Sequence, residues 1–145
     1  MKGLFVTLLV LSLASASNFL EVQDGLEAQE GTQCIPNPLY NVTSFDVTPW
    51  PPVINQNLVI NMTGVFLANV YVENLSVGTN FNRQNWNWQH SQLNHNFTQG
   101  QVYSFIVNTQ AGQQSGKYLK QVVLSNQDNH QNYQHISCWQ FLYSL

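Results

Sequence analysis

The chain has 145 residues and a formal net charge of −3 at pH 7, with 43% hydrophobic and only 8% charged residues. That length suits one domain with a sizeable core. Lysine and arginine together number 4, too few for a basic stripe, so nucleic acid and a polybasic membrane contact are excluded as expected partners.

The chain opens Met1-Lys2-Gly3, runs apolar from Leu4 to Leu13, and continues Ala14-Ser15-Ala16. A positive start, a short apolar run and a small-x-small site read as a secretory signal peptide over 1–16. A span of the bilayer would need about 20 apolar residues. The expected destination is therefore extracellular space or an endolysosomal or vesicular lumen. Residues 17–33 hold Glu21, Asp24, Glu27 and Glu30 and read as an acidic arm or pro-segment. The folded domain is expected over 34–145. Cys34 and Cys138 are the only cysteines and are expected to form one disulfide in an oxidising compartment.

From Cys34 onward the pattern is β. Tyr40 to Val47 is a first strand, with a parity shift that places a bulge near Ser44. Pro49-Trp50-Pro51-Pro52 ends it, because proline cannot donate to a ladder. Leu58 to Met62 alternates, with Leu58, Ile60 and Met62 on one face and Val59, Asn61 and Thr63 on the other. Gly64 permits a turn or bulge before a third strand, Val65 to Val72, whose parity is unresolved. Asn82 to Phe97 is polar and aromatic, with Trp86 and Trp88 on one face. Gly100 opens a strand over Gln101 to Asn108. Ala111 to Gly116 is a loop, Tyr118 to Leu124 a strand, Asn126 to Gln134 a polar turn, and Ile136 to Leu145 the last strand. Several short strands at this spacing predict an all-β, immunoglobulin-like β-sandwich of two antiparallel sheets.

Little of the sequence points to catalysis. Asp46, Glu73 and Asp128 are isolated carboxylates, and a glycosidase needs two that converge across a sugar. His90, His95, His130 and His135 lack a helical metal spacing. No catalytic residue, metal or cofactor is expected. Four sequons begin at Asn41, Asn61, Asn74 and Asn96, and as candidate glycan acceptors all four asparagines are expected to be exposed. Trp50, Trp86 and Trp88 allow a further reading, an exposed aromatic platform for carbohydrate or for a protein partner.

Several motifs resemble the ML domain, a lipid-recognition family that includes the Niemann-Pick type C sterol carrier and phosphatidylinositol/phosphatidylglycerol transfer proteins. They are Val42-x-x-Phe45-x-Val47-x-Pro49-x-Pro51-Pro52, then Asn57-Leu58-x-Ile60, and Tyr103-x-Phe105-x-Val107 after Gly100. The closing segment Ser115-Gly116-Lys117-Tyr118, Val122-x-Leu124-x-Asn126-x-Asp128 and Ile136-Ser137-Cys138-Trp139-x-Phe141-x-Tyr143 is similar to that family's last two strands. The resemblance implies an apolar cavity between the sheets that holds a sterol or phospholipid, and a bridged first and last cysteine. It departs from the family in lacking the further cysteine pairs. Phe45, Val47, Leu58, Ile60, Met62, Tyr103, Phe105, Val107, Tyr118, Val122, Leu124, Phe141 and Tyr143 are the expected inward, lipid-contacting residues. The expected partners are the lipid itself and a membrane or carrier protein met transiently by a monomer. Lys117 is a candidate contact for an anionic headgroup.

Overall fold

The structure, a computed structural model, describes residues 31–127 and 133–145. The expected signal peptide, the acidic arm through Glu30, Asp128 and His130 lie outside the described residues. The strands are β1 (Thr32–Gln33), β2 (Tyr40–Thr48), β3 (Asn57–Phe66), β4 (Val70–Phe81), β5 (Trp86–Phe97), β6 (Val102–Gln110), β7 (Lys117–Gln127) and β8 (Tyr133–Ser144). They form a five-stranded sheet in the order β1-β8-β7-β4-β5 and a three-stranded sheet in the order β2-β3-β6, with every pairing antiparallel. The β-sandwich expected from the strand pattern is the fold found. Thr32 and Gln33 pair with β8, so the sandwich reaches into the segment read as an acidic arm.

Alternation places the core as expected in β3. Leu58, Ile60 and Met62 are fully buried while Val59 on the opposite face is exposed. The bulge expected near Ser44 lies between Val42 and Ser44. Gly64 differs from expectation. It makes no turn: β3 runs through it to Phe66, and the reversal comes at Leu67 to Asn69. A Cβ on Gly64 would strike the Asn41 carbonyl and the Tyr40 ring. The glycine thus clears room for Tyr40, whose hydroxyl donates within reach of the Met62 carbonyl (3.1 Å) and the Tyr103 carbonyl (2.8 Å).

The sheets meet through side chains. Phe66 of β3 stacks on Phe97 of β5 with centroids 4.2 Å apart. Phe45 of β2 lies 5.6 Å from Phe141 of β8 and 6.1 Å from Trp139. Lys120 of β7, buried in the same interior, donates from Nζ to Thr79 Oγ1 (2.8 Å) and across to Thr109 Oγ1 of β6 (3.1 Å). Of the expected inward residues, all but Tyr103 are buried. Tyr103 is 43% exposed, which corrects its placement: it has the inward parity but is left partly uncovered, its ring 5.2 Å from Phe97.

Cys34 and Cys138 are disulfide-bonded across a separation of 104 residues. The bond ties β1 to β8 and indicates an oxidising, non-cytosolic compartment.

Candidate functional site

The outer face of the five-stranded sheet carries an open groove of about 610 Å³. Its walls follow from strand register. Trp88, His90 and Gln92 of β5 lie opposite Gly78, Ser76 and Asn74 of β4. Those three β4 residues in turn face Gln121, Val123 and Ser125 of β7. Period-two alternation gives all nine one face. The fourth strand joins through an irregularity: Leu124 pairs with Ser137 but Ser125 pairs with His135. The skipped residue, Ile136, is fully buried in the core, while His135 and Tyr133 stay in the groove.

Gly78 shapes the aromatic wall. A Cβ there would lie 2.7 Å from Cη2 and Cζ3 of Trp88 and 2.9 Å from Cε3 of Trp86. The two indoles therefore rest over bare backbone. They are near-parallel, at 22°, with centroids 5.3 Å apart, and Trp86 and Trp88 remain 36% and 37% exposed. The His90 ring continues the row at 6.4 Å from Trp88 and an angle of 14°.

Hydrogen bonds hold the polar wall. His90 Nδ1 and Ser76 Oγ are 2.7 Å apart. Gln121 Nε2 donates to Gln140 Oε1 at 3.0 Å. Glu73 Oε2 accepts the Gln127 backbone N–H at 3.0 Å. Among the described residues, Glu73 is the carboxylate that lines the groove, and neither lysine nor arginine lines it.

The Ser76–His90 pair has the atoms of a nucleophile and a base, but Ser76 is 5% exposed in the middle of a strand paired on both sides. The N–H groups beside Ser76 on β4 are committed to those ladders and are not free to hold an oxyanion. Asp46 lies on β2 of the other sheet and does not converge on Glu73. Among the described residues no group of three or more His, Cys, Asp or Glu could hold a metal ion.

No family model matches the chain, and no curated protein matches it. In fold it is similar to the C-terminal domain of wzt. That crystal structure superposes with a TM-score of 0.65 at 13% identity, covering 81% of this chain and 79% of that chain. At such identity the likeness concerns the fold.

Of the tryptophans named from the sequence, Trp86 and Trp88 come together beside the groove. Trp50 does not: it is half-buried against the core, its ring 6.4 Å from Phe141. Lys117 is exposed at the start of β7, and its N–H donates to Asn82 Oδ1 (2.9 Å). The sequons divide. Asn41 and Asn96 are exposed, whereas Asn61 and Asn74 are half-buried. The Asn61 Oδ1 atom is buried without a hydrogen-bond partner, and Asn74 lines the groove. Full exposure of all four asparagines is therefore corrected. Gly78, Ser76, Gln121, Tyr133 and His135 carry no local sequence signal of a site, because only the register of four strands brings them together.

Proposed function

We propose that this chain is a secreted module that binds uncharged carbohydrate in the groove on the outer face of its five-stranded sheet. The observation that carries the reading is the lining itself. Exposed indole rings adjoin a row of amide, hydroxyl and imidazole groups and one carboxylate, Glu73, with no lysine or arginine among the described lining residues. A sugar ring offers an apolar C–H face and a rim of hydroxyls. Indole rings cover the first. Asn74, Gln92 and Gln121 can donate to and accept from the second, and Ser76 and Ser125 add hydroxyls. The volume lies within the range of about 300–1,000 Å³ usual for small-molecule sites. A secreted destination joins the proposal from the leader-like opening of the chain and agrees with the disulfide.

The lipid-carrier reading asks something different of the molecule: the sheets must part where Phe45 meets Phe141 and Phe66 meets Phe97. One experiment separates the two. The purified protein is titrated with neutral and anionic oligosaccharides while tryptophan fluorescence is followed, and a parallel sample is examined by native mass spectrometry for sterol or phospholipid. Saturable quenching by a neutral oligosaccharide is expected. Trp88→Ala should weaken it about thirtyfold, the loss of one well-packed aromatic anchor worth about 2 kcal/mol. Stoichiometric lipid uptake with no saccharide response would overturn the carbohydrate reading.

A further inference from the structure

We infer that two copies of this chain associate by antiparallel pairing of β5 with β5, in place of the monomer expected from the sequence. The argument is independent of what the groove binds. Among the described residues, strand β5 is the outer strand of the five-stranded sheet, and its ladder to β4 uses one side only. The opposite side leaves a row of backbone donors and acceptors open. An edge of this kind is normally guarded by charge, proline, shortness or a bulge. From Trp86 to Gln92 the sequence is Trp-Asn-Trp-Gln-His-Ser-Gln, with no Lys, Arg, Asp, Glu or Pro. The bulge that β5 does have comes later, at Leu93 and Asn94, where Asn94 has φ 47°.

Two of the other edges, β1 and β2, are guarded. Strand β1 has 2 residues and is pinned by the Cys34–Cys138 bond. Strand β2 carries Asp46 and the Val42/Ser44 bulge, and runs into Pro49, Pro51 and Pro52. Strand β6 is also an edge without charge or proline, but it belongs to the narrower, three-stranded sheet and does not border the groove. The inward-parity residues Asn87, Gln89 and Ser91 of β5 are exposed, so this part of β5 overhangs that sheet, whereas its far end packs on it through Phe97.

The open segment is also self-complementary. With a two-fold axis at Gln89, Trp86 faces Gln92 of the second copy, Asn87 faces Ser91, Trp88 faces His90, and Gln89 faces itself. Outer-face residues then meet outer-face residues, and amides and hydroxyls meet on the other side. No like charges oppose one another, and a closed two-fold contact stops at a dimer. The aromatic row of Trp86, Trp88 and His90 would continue into the same row of the second copy, on one ten-stranded sheet.

Sedimentation equilibrium of the disulfide-bonded protein over a wide concentration range tests this. A reversible monomer–dimer equilibrium is expected. Gln89→Lys sets two ammonium groups face to face and should leave only monomer, with the circular dichroism spectrum and melting midpoint of dilute wild type. Gln89→Cys should give a covalent dimer on mild oxidation, whereas Gln110→Cys, at the end of β6, should not. A wild-type chain that stays monomeric at its solubility limit would overturn the proposal. So would a dimer that survives Gln89→Lys, or assembly beyond the dimer.

Discussion

Lys120 is the residue whose environment departs furthest from what its chemistry prefers. It is 1% exposed and has hydroxyl partners, Thr79 and Thr109. Burial lowers its pKa from 10.5 to about 8, because the interior disfavours the ammonium. The folded value lies below the unfolded one, so the charged form opposes folding at neutral pH, and that opposition fades as pH rises through the folded pKa. Wild type should therefore gain about 2 kcal/mol relative to Lys120→Met between pH 7 and pH 9.5. Urea unfolding of both proteins at each pH measures the difference, which also cancels the buried tyrosines they share. Burial pushes the Tyr40 hydroxyl up, and burial and Tyr118 do the same to Tyr143, with the nearby Gly112 backbone opposing. Their phenolates would oppose folding only at higher pH. The sequons give a second expectation at this scale. Glycopeptide mapping of protein secreted from eukaryotic cells should find Asn41 and Asn96 modified and Asn74 bare, since a glycan on Asn74 would fill the groove it lines. Residue by residue, the inward set was legible wherever one face is wet. Leu58, Ile60 and Met62 alternate cleanly because Val59 and its neighbours meet water. Tyr103 was misplaced because parity says which way a side chain points, but not whether anything lies over it.

Among the elements, β4 and β7 decide the site; the strand and inward residues of β7 were legible in Tyr118, Val122 and Leu124, but the groove face of both strands was not. Both are central strands with core on one side and groove on the other. Leu75, Ser76, Val77 and Gly78 are all buried in succession, as are Val122, Val123, Leu124 and Ser125. A run buried on both faces has no alternation from which to take a face. In β5 the shared face of Trp86 and Trp88 was legible from their spacing, but its place at the edge of the sheet was not. Gly78 invites a direct test. Its backbone lies outside the left-handed region, so alanine fits locally, and the atoms it would meet are the far ends of two partly exposed indoles. Gly78→Ala should lift Trp86 and Trp88 off β4 and raise their quenching by acrylamide. Oligosaccharide affinity should fall about tenfold, with the melting midpoint little changed or raised, because glycine within a strand costs about 0.5–1 kcal/mol. Phe66→Ala is the contrasting change. It removes a fully buried ring that touches Tyr40, Phe97 and Phe105, and should cost about 3–5 kcal/mol in chemical denaturation.

For the whole molecule, the two-sheet architecture was readable from strand spacing, and its likeness to the C-terminal domain of wzt is one of shape at 13% identity. The division into five and three strands was not readable, because nothing local states which sheet a strand joins. That division creates both the groove, which needs four strands side by side, and the overhang of β5. The disulfide acts at this scale as well. Closing a loop of about 100 residues stabilises by about 4.7 kcal/mol in the chain-entropy model, so Cys34→Ser with Cys138→Ser should lower denaturant stability by several kcal/mol without moving the groove. The same bond has a mechanical meaning. Tension applied between a handle before Cys34 and one after Cys138 runs through the sulfur–sulfur link and bypasses β2 to β7. Under a pulling force the oxidised domain would yield only the few residues beyond the bridge. Once reduced, it would pay out the 104-residue span it had held slack, a lengthening of roughly 350 Å. The bond thus makes the domain a tether whose reach is set by the redox state around it.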